Sequence, residues 1–310
     1  MNQTATEEEK IKAKFIEDYI KKDKRITDLG PERIAYMDQV GVDVQLISYE
    51  NNSPMDLPAD HAIPLSKQAN DDLAKACQQY PDRFYGLATL PVADPKAAAD
   101  ELERTVKELN FKGVMLQGTY NGQFFDDKSF WPIFEKAESL DVPIQLHPGE
   151  VDAKVIDHYY EGNWSPQVTM TLLGHGLGRH YDAGIHVLRL ILAGVFDAFP
   201  NLKIISGHWS ETIPYFLDRL NETLPQAVTG LNHDIAYYYR HNIYVTPSGM
   251  FYKAPMSLCI SELGADRVLW SMDYPYMLRE NTATFLENFD ISDEEKAQIA
   301  YKNAEALFKL

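Results

Sequence analysis

The chain of 310 residues contains 45% hydrophobic and 24% charged residues and carries a formal net charge of −17. This composition excludes a disordered or low-complexity chain. A strongly acidic protein repels phosphate backbones and anionic lipid headgroups, so we predict that it binds neither nucleic acid nor membranes. No apolar run approaches the ~18 residues of a membrane span, and the two cysteines, Cys77 and Cys259, lack CxxC spacing. We expect a cytoplasmic protein.

Short apolar runs alternate with segments of helical periodicity, the pattern of βα units around a parallel sheet. In chain order, the predicted strands cover residues 42–48, 84–92, 113–118, 143–149, 203–208, 242–249 and 267–275. Amphipathic helices are predicted between them, for example over 94–110, where Asp94 and Pro95 suit the N-cap and first helical position. With an eighth strand at the N-terminus, the sequence predicts an α/β protein with the (β/α)8 TIM-barrel fold, forming one domain over residues 1–310.

Two segments between the predicted strands 143–149 and 203–208 depart from this rhythm. Residues 152–171, rich in Tyr, Trp and Gly, are predicted to form an extended loop that covers the barrel mouth. The apolar run 183–202 predicts a helix that would expose a large hydrophobic patch unless another surface covers it. We therefore expect a homodimer or homotetramer.

Polar residues at the carboxyl ends of barrel strands point into the mouth, where catalysis takes place. Three predicted strands end in side chains of the metal-ligand type: His147, His208 with Glu211 following it, and Asp273. Imidazole nitrogens and carboxylate oxygens bind Zn²⁺ or Mn²⁺. The sequence predicts one divalent metal ion held by His147 and Asp273, with His208 beside it.

The other histidines that we considered lie in loops or at helix edges. We assign no catalytic role to His61, His158, His233 and His241. In the Gly-rich turn GHGLGRH, His180 is predicted to be structural and the role of His175 is left open. The chain contains no GxGxxG, P-loop or GxSxG motif, so neither nucleotide binding nor acyl-enzyme chemistry is predicted.

Four motifs resemble one known family: DLGPERIAYMDQVGVDVQLIS, LHPG, GIHVLRLILAGVFDAFPNLKIISGHWSE and WSMDYPY. They are similar to the amidohydrolase-2 family, the branch of the amidohydrolase superfamily that includes aminocarboxymuconate-semialdehyde decarboxylase and the dihydroxybenzoate (resorcylate) decarboxylases. The resemblance spans about residues 26–309. It implies that His147 and Asp273 are metal ligands, that His208 is the active-site histidine paired with Glu211, and that Arg219 lies near the substrate pocket.

The N-terminus departs from the family pattern. Family members usually begin with an HxH or ExH pair that supplies two further metal ligands, whereas this chain has ATEEEK. In that alignment Glu7 takes the place of the first metal ligand and Glu9 that of the histidine. Because a carboxylate is a harder ligand than imidazole, the replacement favours Mn²⁺ or Mg²⁺ over Zn²⁺.

The resemblance favours non-oxidative decarboxylation of a hydroxylated aromatic, or related, carboxylic acid. The metal would hold the substrate carboxylate and an ortho-hydroxyl, while His208 protonates the ring carbon and Glu211 fixes the imidazole tautomer. Trp164, Tyr274 and Phe251 are predicted walls of an aromatic pocket. Two alternatives stay open: metal-dependent hydrolysis of a lactone or amide, and a catalytically impaired binding barrel, which the ATEEEK substitution would explain.

Overall fold

The computed structural model describes residues 23–50 and 53–310. The described part is built around a parallel sheet of six strands, in which each strand pairs with the next one along the chain. The strands are β1 Gln45–Ile47, β2 Phe84–Ala88, β3 Gly113–Gln117, β4 Ile144–His147, β5 Ile204–Ser206 and β6 Ile243–Val245. Six of the seven predicted apolar strands are thus confirmed, each shorter than predicted.

Residues 267–275 do not form the regular strand that was predicted. Only Val268 pairs with the sheet, through a parallel bridge to Val245, and the Leu269 N–H donates to the Val245 carbonyl at 2.9 Å. Residues 269–273 are irregular, and Asp273 at their end has a left-handed backbone with φ of 60°. The predicted N-terminal strand lies outside the described residues.

Helices connect successive strands, as parallel pairing requires. The α-helices are α1 Pro31–Val40, α2 Ala59–Gln79, α3 Pro95–Leu109, α4 Trp131–Leu140, α5 Ala153–Tyr159, α6 Pro166–Thr171, α7 Gly178–Leu192, α8 Val195–Ala198, α9 Ile213–Thr223, α10 Gln226–Thr229, α11 Ile235–Asn242, α12 Lys253–Leu263, α13 Thr282–Glu287, α14 Asp293–Ala297 and α15 Asn303–Phe308. Short 3-10 helices cover Lys24–Ile26, Pro54–Asp56, Lys128–Phe130 and Ala265–Arg267. Short π-helices cover Leu172–Gly176 and Gln298–Lys302. Over residues 23–50 and 53–310, no helix has the length and apolar character needed to cross a membrane.

The predicted helix over 94–110 is α3, and its start follows from one capping residue. The Asp94 carboxylate accepts hydrogen bonds from the backbone N–H groups of Lys96 and Ala97, at 3.1 and 3.0 Å. Pro95 occupies the first helical position, where its missing N–H costs nothing. The prediction made from the Asp-Pro pair is therefore confirmed.

The segment 152–171 contains two short helices, α5 and α6, so the prediction of an extended loop was wrong. Asp152 starts α5 by accepting a hydrogen bond from the Lys154 N–H at 2.8 Å. Pro166, at the first position, starts α6. These local helix-start signals outweigh the aromatic and glycine content from which a loop was predicted.

The sheet has a different core on each face. Phe84, Leu116 and Ile144 belong to the larger buried cluster, whereas Leu87 and Ile205 form a smaller one with the last residues of α15. The end of α15 is bonded to residues that precede β3 and β4: Lys112 donates to the Lys309 carbonyl, and Lys309 donates to the Asp141 carbonyl. The C-terminal helix thus covers the amino ends of the strands, and the opposite end carries the candidate site.

Candidate active site and metal centre

His147 is the last residue of β4 and lines the cavity at the carboxyl ends of the strands. Its Nδ1 lies 2.8 Å from the Pro148 carbonyl oxygen. Because a carbonyl only accepts hydrogen bonds, Nδ1 carries the proton and Nε2 keeps its lone pair. Burial lowers the pKa of His147 to about 3, with the Arg179 charge adding to the effect. The imidazole is therefore neutral and has the tautomer that a metal ligand needs.

Asp273 lines the same cavity as His147. Burial raises the pKa of this carboxyl to about 6. The charge of His208 acts to lower this pKa, whereas the charge of Glu50 acts to raise it further. Among the described residues none donates a hydrogen bond to the Asp273 carboxylate. A partly buried carboxylate that is costly to ionise and an imidazole lone pair thus share one cavity, and a divalent cation suits this donor set.

Glu50 and Arg179 extend this side of the site. Glu50 Oε1 lies 3.8 Å from His147 Nε2 and 3.4 Å from Arg179 Nη2. Within the described part of the chain, Arg179 Nε is buried without a hydrogen-bond partner. Neither residue was predicted from the sequence, although Glu50 follows the end of β1 by three residues and therefore lies where strand-end polar residues are expected.

His208 and Glu211 lie in a short stretch of left-handed backbone after β5. The five residues from His208 to Thr212 all have positive φ values, between 47° and 75°. Left-handed backbone costs roughly 1–2 kcal/mol for each residue that is not glycine, so the surrounding structure must hold the turn in place.

Buried contacts on both sides hold this left-handed turn. The Ser210 hydroxyl lies 2.5 Å from the Tyr239 hydroxyl. The Trp209 indole N–H donates to the Met250 carbonyl at 2.7 Å, and the Trp209 backbone N–H donates to the Thr246 carbonyl at 2.8 Å. With the turn held in this way, the His208 ring lies next to that of His147, with 6.3 Å between the ring centroids.

Glu211 is paired with two histidines. Its Oε1 lies 2.6 Å from His208 Nδ1 and its Oε2 lies 2.7 Å from His180 Nδ1. The two imidazole rings are 4.4 Å apart between centroids, and the Glu211 side chain is 1% exposed. The His208–Glu211 pair implied by the family resemblance is thus present in the geometry. His180, which was predicted to be structural, lies within hydrogen-bonding distance of the same carboxylate.

The side chains of His180, His208 and Glu211 form a compact group, with ligand-type atoms all within 4.8 Å of one another. A metal could bind such a group, but the N–O distances of 2.6 and 2.7 Å are those of hydrogen bonds that already use both carboxylate oxygens. Because both oxygens of Glu211 are already used in this way, the cluster around Glu211 is suited to hold protons.

Tyr274 lines the cavity next to Asp273. Its ring stacks on Tyr36 at 4.6 Å, and the Arg33 guanidinium lies 4.6 Å from its centroid. Phe251, in contrast, is 8% exposed and stacks on Trp270 at 4.9 Å. The prediction that Phe251 forms a pocket wall was wrong, because the ring is used in core packing.

The structure does not bring two predicted substrate contacts to this cluster. Trp164 lies between α5 and α6 with 47% of its surface exposed, and its indole N–H donates to Thr169 Oγ1 at 3.0 Å. Arg219 lies on the outer face of α9, where its side chain is 66% exposed and pairs with Glu222. Glu7, the predicted third metal ligand, and Glu9 lie outside the described residues.

Comparison with known proteins agrees with this geometry. The family model described as Amidohydrolase matches residues 14–310. A crystal structure of an amidohydrolase from Staphylococcus aureus is 44% identical with a TM-score of 0.88, covering 90% of this chain and 91% of that one. The 5-carboxyvanillate decarboxylase from Novosphingobium aromaticivorans, complexed with manganese and 4-hydroxy-3-methoxy-5-nitrobenzoic acid, is 35% identical with a TM-score of 0.86, covering 93% and 82%.

A relative from Polaromonas sp. is also a decarboxylase. This gamma-resorcylate decarboxylase is 35% identical over 303 residues, covering 92% of this chain and 89% of its own. The family match spans nearly the whole sequence, and the fold of these relatives is shared along most of it. The chain belongs to the amidohydrolase family.

Proposed function

We propose that this protein is a metal-dependent, non-oxidative decarboxylase of a hydroxylated aromatic carboxylic acid. The observation that carries the proposal is the placement of the His208–Glu211 pair next to His147, whose ring centroid is 6.3 Å from that of His208, while His147 and Asp273 line one cavity. The 35% identity to the Novosphingobium and Polaromonas decarboxylases supports it.

We expect His147 and Asp273 to hold the metal, together with Glu7 as the sequence predicts. A divalent ion held by these residues would supply the positive charge that favours binding of a substrate carboxylate and an adjacent hydroxyl. Manganese is the metal that we propose, because the related 5-carboxyvanillate decarboxylase contains it and oxygen-rich ligand sets suit Mn²⁺.

His208 is the proton donor in this proposal. Its Nδ1–H donates to Glu211. The proton on Nε2 is therefore the one that His208 transfers to the substrate. The ring carbon that bears the carboxylate accepts the proton and forms a new C–H bond, with loss of aromaticity. The bond from this carbon to the carboxylate then breaks, its electron pair restores the aromatic ring, and CO₂ leaves. One proton from solvent recharges His208 in each turnover.

The substrate contacts follow from the cavity walls. Tyr274 faces the cavity and can pack against an aromatic ring. Trp164 and Arg219 keep their predicted roles only if a rearrangement or a second copy brings them to the mouth. Arg179, which is next to Glu50, is the arginine placed to meet an anionic group of the substrate.

We further propose that the described half-barrel is part of a complete (β/α)8 barrel and that the chain forms one domain. Val268 supplies a seventh position next to β6, and the predicted N-terminal strand would supply the eighth. The exposed apolar side chains of Trp164, Met170 and Tyr181 support a homodimer or homotetramer. A cytoplasmic location stays a prediction.

The test is metal content followed by turnover. Protein purified without chelators should contain about one divalent ion per chain and release CO₂ from a member of a hydroxybenzoate panel that includes 2,6-dihydroxybenzoate and 5-carboxyvanillate. In D₂O, the product should carry one deuterium at the carbon that lost the carboxylate. Hydrolysis of lactones or amides without CO₂ release would favour the hydrolase alternative, and bound metal without any turnover would favour the impaired barrel.

A further inference from the structure

His180 is the second imidazole on the Glu211 carboxylate, and it comes from a different element than His208. His208 and Glu211 follow β5, whereas His180 lies in the first turn of α7. Both histidine Nδ1 atoms lie within hydrogen-bonding distance of Glu211, one on each oxygen. The carboxylate therefore joins the helix to the left-handed turn.

Close packing fixes this face of α7 against the turn. A Cβ atom placed on Gly184 would lie 2.6 Å from the Glu211 carbonyl oxygen and 3.3 Å from the Glu211 Cβ. Only glycine allows the helix to approach so closely. Because residues four apart share one face of a helix, the contact at Gly184 also directs His180 toward Glu211.

Both ring nitrogens of His180 face hydrogen-bond acceptors. Nδ1 faces the Glu211 carboxylate, and Nε2 lies 3.2 Å from the His175 carbonyl oxygen. Both bonds form when both nitrogens carry protons. Burial and the Arg179 charge oppose this charged form, but the hydrogen bond and charge of Glu211 outweigh them and raise the pKa of His180. His208 is the other titratable ring in contact with it.

We propose that His180 is a positioning residue for the His208–Glu211 pair: by donating to Oε2, it holds the Glu211 carboxylate in the orientation that fixes His208 for proton transfer. This inference rests on the proposed decarboxylase function. Without His180, Oε2 of the buried Glu211 carboxylate loses its hydrogen-bond donor, and an unpaired buried acceptor is unfavourable. We expect the carboxylate to rotate or draw in water, so that His208 no longer keeps one tautomer and one direction.

The test compares His180→Ala, His180→Asn and the control His175→Ala. Asn retains an N–H donor at the δ position and should recover much of the activity. In His180→Ala, kcat should fall about 10–100-fold, with KM within about two-fold and metal content unchanged. His175 supplies only its backbone carbonyl to His180, so His175→Ala should behave like the wild type. A wild-type kcat in His180→Ala would overturn the proposal, as would equal losses of kcat and melting temperature in both His180 variants.

A second readout does not depend on the reaction. In ¹⁵N–¹H spectra of the full chain loaded with diamagnetic Mg²⁺, the His208 ring should show the Nδ1–H tautomer in the wild type and a tautomer mixture in His180→Ala. If the wild type decarboxylates no acid of the panel, the proposed function fails while these spectra still decide the role of His180. An unchanged His208 tautomer in His180→Ala would contradict the inference even in an active enzyme.

Discussion

The two sides of the site differ in how fully their polar groups are paired. On one side, Asp273 accepts no hydrogen bond from any described residue, and His147 keeps one lone pair toward the cavity. On the other side, Glu211 has an imidazole Nδ1 on each oxygen. An unpaired, partly buried acid is costly unless a cation compensates it, whereas a satisfied network fixes geometry. The first side is therefore suited to bind a metal, and the second to hold and direct a proton.

The largest effect is expected from the unpaired side. Asp273→Asn removes the negative charge that attracts the cation, so bound metal should fall from about one ion per chain to near none. Turnover should fall below detection, a larger loss than the roughly 10–100-fold typical when a residue that only hydrogen-bonds to a metal ligand is replaced. Elemental analysis and a CO₂ assay measure both. Asp266→Asn, which changes an aspartate that is 60% exposed and paired with Arg267, is the matched control and should retain metal and activity.

The next effect separates the two sides. His208→Gln removes the proton donor but leaves His147 and Asp273 in place, so kcat should fall about 10²–10⁴-fold while the metal content stays at the wild-type level. Steady-state kinetics and elemental analysis on one preparation provide the comparison. Loss of metal together with activity would show that His208 belongs to the metal-binding side.

Removal of the metal should show how much the buried, ionised Asp273 lowers the free energy of unfolding. With its pKa raised from 3.8 to about 6 by burial, Asp273 destabilises the folded metal-free protein above pH 6 by roughly 3 kcal/mol, at about 1.4 kcal/mol per pKa unit. This cost disappears as the pH falls from about 6 toward 4, because the carboxyl protonates more readily in the folded state. In urea titrations of chelator-treated protein, Asp273→Asn should exceed the wild type in stability at pH 7.5, and less so at pH 5. A pH-independent difference would be inconsistent with a raised pKa.

A smaller effect tests the left-handed turn. Tyr239→Phe removes the partner of the buried Ser210 hydroxyl, so the free energy of unfolding should fall by about 1–2 kcal/mol and kcat by several-fold. Tyr238→Phe is the matched control, because its hydroxyl bonds to Asp197 away from the site. The control should lose stability and keep activity. If both variants lose activity equally, the Tyr239 contact does not serve the site specifically.

Several site residues were predictable because they follow apolar strands. His147, His208 and Asp273 each come after a run of buried residues, and parallel strands bring their carboxyl ends together. The same rule points to Glu50 after β1. Helix-borne residues were harder to predict. Periodicity did not reveal that His180 of α7 faces Glu211, and alignment to the family pattern placed Arg219 near a pocket although its side chain lies on the outer face of α9.

By itself, the sequence determined the order of strands and helices, the family, and the strand-end ligands, because these depend on local periodicity and on motifs that are continuous in the chain. Only the tertiary structure decided that residues 267–275 leave the sheet after Val268, that five consecutive residues after β5 adopt left-handed backbone, and that His180 shares the carboxylate of Glu211. Each of these features is held by contacts between residues far apart in the chain, such as Tyr239 with Ser210 and Gly184 with Glu211. Local sequence patterns do not indicate which distant residues will pack together, so these features could not be predicted from them.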